Sequence, residues 1–232
     1  MKIIGLIGGM SWESSAEYYR IINQEVSRRL GAPHSARILM YSVDFGELEA
    51  LQRSGRWVEA GELMADAAAR LERGGADFVI ICANTMHKSI DYVQAAVRIP
   101  VLHIVDPTAR AICDQKIKKV GLLGTRYTME EPFYTARLAE KFGLEVLVPF
   151  PAERIVVHNI IFDELVAGII TPASRQAYRQ VMAHLAAQGA EGIIFGCTEI
   201  CLLVTAADSL VPVFDTTLLH AIAAVDEALS EN

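Results

Sequence analysis

The chain has 232 residues, 52% of them hydrophobic and 21% charged, which suits a globular fold with a real core and excludes a disordered chain. Its formal net charge is −7 and its pI about 5.4, with no basic block, which argues against nucleic acid or an anionic membrane as a partner and leaves room for a local basic site for a small anion. No apolar run approaches the roughly 20 residues of a membrane-spanning helix, Met1 and Lys2 lead straight into IIGLIGG rather than a signal sequence, and Cys82, Cys113, Cys197 and Cys201 are too few for a disulfide framework, so a cytoplasmic protein is expected.

In chain order, the pattern predicts strand Lys2–Ile7, helix Trp12–Leu30, strand Arg37–Val43, helix Val58–Arg73, strand Phe78–Ala83 and helix Met86–Ala95. Strand Val101–Ile104, helix Pro107–Asp114, strand Lys119–Leu123, helix Glu130–Phe142 and strand Glu145–Val148 come next. Helices Glu153–Val166 and Ser174–Gln188, strands Gly192–Gly196 and Val211–Phe214, and helix Thr217–Leu229 complete the series. Near-continuous apolar strands alternating with helices predict parallel sheets covered on both faces.

An internal repeat organises these elements. GADFVIICAN (75–84) aligns without a gap with GAEGIIFGCT (189–198), and IIGLIGGMS (3–11) resembles KVGLLGTRY (119–127). The expected fold is α/β, with two similar lobes related by a pseudo-twofold axis, each a parallel sheet flanked by helices. The expected lobes are 1–100 plus 212–232, and 101–211. Ligands of open α/β sheets sit beyond the carboxyl ends of the strands. All four repeat segments deliver polar or glycine residues there, so the active site is expected in a cleft between the lobes.

The repeat alignment pairs Ala83 with Cys197. Cys197 ends a buried strand, and Thr198 and Glu199 open the next segment; backbone N–H groups of a helix there would lower its pKa toward a reactive thiolate. The plain alternative is a buried structural cysteine. Asn84 and Thr85 offer either a carboxylate cradle or an ordinary polar cap. His87 reads as a hydrogen-bonded structural histidine, and Cys82 as core, because adjacent strand residues point to opposite faces.

The turn that carries Met10 and Ser11 lacks the GK[ST] and GxGxxG spacings of nucleotide loops and suits close backbone approach to a small anion. In its counterpart GTRYT, Thr125 and Thr128 offer hydroxyls beside Tyr127, and Arg126 is either a partner for a second carboxylate or a solvated surface arginine. Gln52 is a weakly marked candidate for side-chain recognition. No metal is expected: Cys197 and Cys201 have no CxxC or HxxxH beside them, and His34, His103, His158, His184 and His220 are scattered. No pattern suggests pyridoxal phosphate, a nicotinamide or a flavin.

GGMSWESS at 8–15, NTMHK at 84–88, GTRYTM at 124–129, GCTEI at 196–200 and VFDTT at 213–217 resemble, in order and spacing, the aspartate/glutamate racemase superfamily. That group includes aspartate, glutamate and hydantoin racemases and maleate isomerases. The resemblance implies a cofactor-independent enzyme, a homodimer, and an amino-acid substrate, aspartate or glutamate. It also implies two acid/base residues working on opposite faces of the α-carbon, usually both cysteines, the first directly before the Asn-Thr pair. In the bacterial aspartate/glutamate branch a threonine can stand there; here it is Ala83. The implied catalytic residue is therefore Cys197, with Asn84, Thr85 and Thr198 around the α-carboxylate and the second acid/base missing. A dicarboxylate isomerase of the maleate type and a homologue that binds without turnover are the alternatives.

Overall fold

Each half of the chain builds its own sheet, with the same strand order in both. The computed structural model describes residues 1–230; positions 231 and 232, the end of the expected first lobe, lie outside the described residues. The first half runs β1 (Ile4–Gly8), α1 (Trp12–Leu30), β2 (Ile38–Ser42), α2 (Phe45–Arg53), α3 (Trp57–Arg73), β3 (Phe78–Ile81), a 3-10 turn (Thr85–Ser89), α4 (Ile90–Ala96) and β4 (Val101–Leu102). The second runs α5 (Val105–Asp114), β5 (Lys119–Gly124), α6 (Arg126–Glu130), α7 (Pro132–Phe142), β6 (Glu145–Leu147), α8 (Pro151–Asn159) and α9 (Pro172–Ala187). It continues through β7 (Gly192–Gly196), α10 (Ile200–Leu203) and β8 (Val213–Asp215) to α11 (Thr216–Leu229). Each sheet has four parallel strands, in the orders β2-β1-β3-β4 and β6-β5-β7-β8.

The sequence repeat holds at the level of register. Ile4 faces Phe78 and Ile38 in the first sheet, and Val120 faces Gly192 and Val146 in the second. The junctions match as well. Gly75 (φ +97°) and Gly189 (φ +95°) each turn the chain out of a helix in a conformation that an L side chain rarely adopts. The next residues, Ala76 and Ala190, each donate to a leucine carbonyl at 3.0 Å, that of Leu71 and of Leu185. The acid after them accepts the backbone N–H of the residue just before the neighbouring strand: Asp77 from Ile3 at 2.5 Å, Glu191 from Lys118 at 2.7 Å.

The structure divides into two units, Met1–Ile104 with the chain from His220 onward, and Val105–Leu219. The strand pairing sets this division. β4 pairs with β3, so residues 101 and 102 belong to the first sheet, and β8 pairs with β7, so 213–215 belong to the second; the expected boundaries at 100/101 and 211/212 fall short of both pairings.

Within the first unit, Ile7, Val79, Ile81 and Ala83 join one buried cluster with residues of α2, α3 and α4. Ile4, Leu6, Phe78, Ile80 and Cys82 join another with Tyr18, Ile22 and Val26 of α1 and Ala221, Ala224 and Val225 of α11. The alternation along each strand thus separates the two faces of the sheet. The last helix is tied down by Lys2, whose backbone N–H meets the Ala228 carbonyl at 2.9 Å and whose ammonium meets Glu227 at 2.6 Å. Within the second unit, Leu123, Ile193, Phe195 and Cys197 cluster with Val157 of α8 and with Tyr178, Val181 and Leu185 of α9.

Several predicted elements are redrawn. The expected helix 130–142 is split, because Pro132 opens α7 and holds Glu131 extended (φ −97°, ψ 148°). The expected helix 153–166 is α8, then a π-helical turn (Ile160–Glu164) and a 3-10 turn (Leu165–Ala167). Helix α2 was not expected, although Asp44 caps it through the Gly46 N–H at 2.9 Å and Phe45, Leu48 and Leu51 have helical spacing. Among the described residues no helix is long and apolar enough to cross a membrane.

Candidate active site

The strand ends of each unit position one group of candidate residues. In the first unit, β1 and β3 are neighbours. Gly9 leaves β1 at φ +92°, and a Cβ there would lie 2.2 Å from the Val43 carbonyl oxygen, so only glycine fits this turn. Ser15 then locks it: its hydroxyl accepts from the Gly9 N–H at 2.7 Å and donates to the Ser11 carbonyl at 2.9 Å. Ser11 is the N-cap of α1, accepting from the Ser14 N–H at 3.4 Å, and Met10 and Ser11 are both buried.

Beyond β3, Cys82 turns into the core, where burial pushes its thiol pKa up. Ala83 faces the other way. Its carbonyl accepts a hydrogen bond from Nδ1 of buried His87 at 2.8 Å, and Nε2 of the same ring accepts the Ile104 N–H at 3.1 Å. With Nδ1–H donating and Nε2 accepting, His87 is a neutral strap between the ends of β3 and β4. Asn84 is buried and Thr85 half-buried at the start of the 3-10 turn. Gln52, on the buried face of α2, donates to the Met86 sulfur at 3.1 Å.

In the second unit, β5 and β7 are neighbours with Gly124 opposite Gly196, which brings the residues after them, Thr125 and Cys197, alongside each other. Thr125 caps α6, its hydroxyl accepting from the Thr128 N–H at 3.4 Å. Thr128 is fully buried and lies close beneath Gly124 and Gly196. Arg126 is exposed; its guanidinium lies 4.9 Å from the Tyr127 ring centre and donates to the Tyr127 hydroxyl at 3.0 Å.

Cys197 is the best-defined chemical group here. Its thiol donates to Glu199 Oε2 at 2.9 Å, and the Thr198 hydroxyl donates to the same oxygen at 2.6 Å. The expectation of a lowered thiol pKa is corrected. Burial first, then the adjacent Glu199 charge, push the Cys197 thiol well above its ordinary value, and one backbone hydrogen bond opposes them. Helix α10 is only four residues long and is preceded by Glu199 at its N-cap, so its dipole is small and a carboxylate stands in front of it. Cys197 is therefore a thiol with an acceptor at hand. Cys201 donates to Asp215 at 3.1 Å, and burial likewise raises its pKa.

Residues 7–224 match the Asp/Glu/hydantoin racemase family, which spans both sheets and every strand end described above. The chain belongs to that family. A crystal structure of a Yersinia pestis protein ascribed to the Asp/Glu racemases is 57% identical, with TM-score 0.93, and covers 99% of this chain and 100% of that one. An aspartate racemase homologue from Pyrococcus horikoshii OT3 is 35% identical, with TM-score 0.83 and coverage of 99% and 100%. The broad specificity amino-acid racemase RacX of Bacillus subtilis is 25% identical over 231 residues, covering 93% of each protein.

As a racemase-family chain, it holds two residues that sequence reasoning passed over. Arg154 and His158 of α8 line a cavity with Arg126. Their i, i+4 spacing inside the otherwise apolar RIVVH stretch was the available signal. Among the described residues, no group of three or more His, Cys, Asp or Glu side chains is arranged to hold a metal ion.

Proposed function

We propose that this family member acts on aspartate or glutamate as a cofactor-independent racemase with one working acid/base, Cys197, and a silent position at Ala83. One observation carries this reading. A buried thiol stands 2.9 Å from a carboxylate oxygen at the end of β7, while the register-equivalent position after β3 is a methyl group.

Those groups define the chemistry. With substrate bound beside Cys197, Glu199 Oε2 takes the thiol proton, and the Cys197 thiolate removes the α-proton from one face of the amino acid. The electron pair of that C–H bond moves into the α-carboxylate. Asn84, Thr85 and Thr198 are the residues assigned to hold that carboxylate, and Met10 and Ser11 close the turn beside them. In a complete racemase the second face receives its proton from an acid opposite. Ala83 has none to give, so the proton returns mostly from Cys197 and regenerates the starting enantiomer. Losing one acid/base partner costs about 10²–10⁴-fold.

The test is α-proton exchange in deuterated water, with the L and D forms of aspartate and glutamate followed by NMR and by chiral analysis. Exchange from one enantiomer with little inversion is expected. Ready inversion would overturn the assignment of position 83. Binding without any exchange would favour the alternative that Ala83 keeps open, an amino-acid-binding protein that does not turn over.

A further inference from the structure

The second unit carries a cavity of about 250 Å³ lined by Arg126, Glu130, Arg154, Ile155, His158 and Asn159. Two guanidinium groups against one carboxylate make its wall net positive, in a chain whose formal charge is −7. The positive charge is incompletely answered. Arg154 meets Glu130 through Nη1 at 3.1 Å, but its Nε–H is buried and has no acceptor in the protein. A buried donor without an acceptor costs about 1–3 kcal/mol, more when charged, so the Arg154 guanidinium is incompletely satisfied within the protein. The Arg126 guanidinium meets only the Tyr127 hydroxyl, and among the described residues no carboxylate pairs with it.

The wall is built rather than incidental. His158 Nδ1 accepts the Arg126 backbone N–H at 3.3 Å, tying the start of α6 to the last turn of α8. The His158 ring stands edge-on to Tyr127, at 6.3 Å between centres, and 4.8 Å from Phe162. Val157, between the two polar residues of α8, faces the buried cluster that contains Cys197, and its carbonyl accepts the Tyr178 hydroxyl at 3.2 Å. The cavity and the buried cluster that contains Cys197 thus lie on different faces of the same short helix.

We propose that this cavity is a carboxylate-binding site. A planar carboxylate matches the guanidinium fork in both hydrogen-bond spacing and charge. A phosphate dianion would bring a second negative charge against Glu130. The carboxylate is either the distal group of a dicarboxylic amino acid held at the thiol or that of a separate small organic acid; only the first source rests on the racemase reading.

The test needs no turnover. The arginine Nε–Hε resonances of 15N-labelled protein, assigned with R126K and R154K, are followed at low ionic strength while succinate is added. The expected result is a saturable downfield shift of the Arg154 Nε–Hε signal, with R126Q weakening succinate by about tenfold or more, the effect of losing one charged hydrogen bond. An Arg154 signal that does not move, one that moves equally with matched sodium chloride, or equal succinate affinity in R126Q each overturns the site.

Titration with L-aspartate then separates the sources. If R126Q weakens aspartate but not L-alanine, the carboxylate is the substrate's own. If succinate saturates the signal and aspartate does not compete, it is a separate acid. Failure of the racemase reading is distinguishable, because absent α-proton exchange would leave the succinate response intact.

Discussion

At the end of β7 a buried thiol gives its hydrogen to a carboxylate two residues on; at the corresponding end of β3 a buried methyl sits beside a carbonyl strapped to an imidazole. The two positions share register, junction chemistry and burial, Ala83 and Cys197 each being 7% exposed. What differs is the titratable chemistry attached to one scaffold. The lesson is that the fold supplies equivalent addresses and each unit is free to fill its own. The second unit fills its address with a thiol hydrogen-bonded to a carboxylate; in the first, His87 uses both ring nitrogens to hold the backbone in place.

Four changes break or sharpen that comparison. The largest effect is expected from C197S, since a hydroxyl is a far weaker acid than a thiol: α-proton exchange should fall about 10³-fold or more. Exchange that survives at wild-type rate would move the base elsewhere. A83C should make the two ends alike and raise inversion about 10²-fold relative to the parent chain, measured by chiral chromatography. Unchanged inversion in a folded A83C protein would mean that position 83 does not face the reacting carbon.

H87A removes both hydrogen bonds of the strap and should lower stability by about 2 kcal/mol in denaturant unfolding, while the α-proton exchange reactivity proposed for Cys197 is kept. Loss of that reactivity would make His87 more than a strap of the first unit.

The smallest effect is expected from D106N, a control away from both strand ends. Burial raises the Asp106 pKa, but hydrogen bonds from Arg137 at 2.6 Å and Lys141 at 2.6 Å overcome it and hold the group at about 2. A carboxyl lowered in the folded state adds stability that is present above its unfolded value and is lost as pH falls from about 4 through 2. After allowance for solvent screening this amounts to about 1 kcal/mol. D106N should therefore destabilise at neutral pH, converge with the parent near pH 2 in acid unfolding curves, and leave α-proton exchange unchanged.

Much of this was legible in the sequence because it rests on periodicity and duplication. The Gly-Ala-acid junctions at 75–77 and 189–191 announced the repeat, and the gapless alignment paired Ala83 with Cys197. The parity of adjacent strand residues separated Cys82 from Ala83, which lie in different buried clusters. The features that stayed hidden depend on neighbours distant in sequence or on local electrostatics. The raised Cys197 pKa comes from desolvation and from the placement of the Glu199 carboxylate, and a motif read as a helix start conceals both. Arg154 meets Arg126 across a cavity only because α6 and α8 pack together, and the sequence separates them by an intervening helix and strand. The unit boundaries, after Ile104 and before His220, do not coincide with the expected 100/101 and 211/212, and short strands such as Val101–Leu102 show their partners only through pairing.

The clasp between Lys2 and α11 bears on the order of synthesis. A ribosome finishes the second sheet at Asp215, but Ala221, Ala224 and Val225, which cover one face of the first sheet, are made only afterwards. At the roughly 5–20 residues per second of translation, the earlier unit waits with that face uncovered while the later one acquires all its strands. The half made first is then the half completed last, and its uncovered face is the surface a chaperone would find on a chain arrested near Asp215.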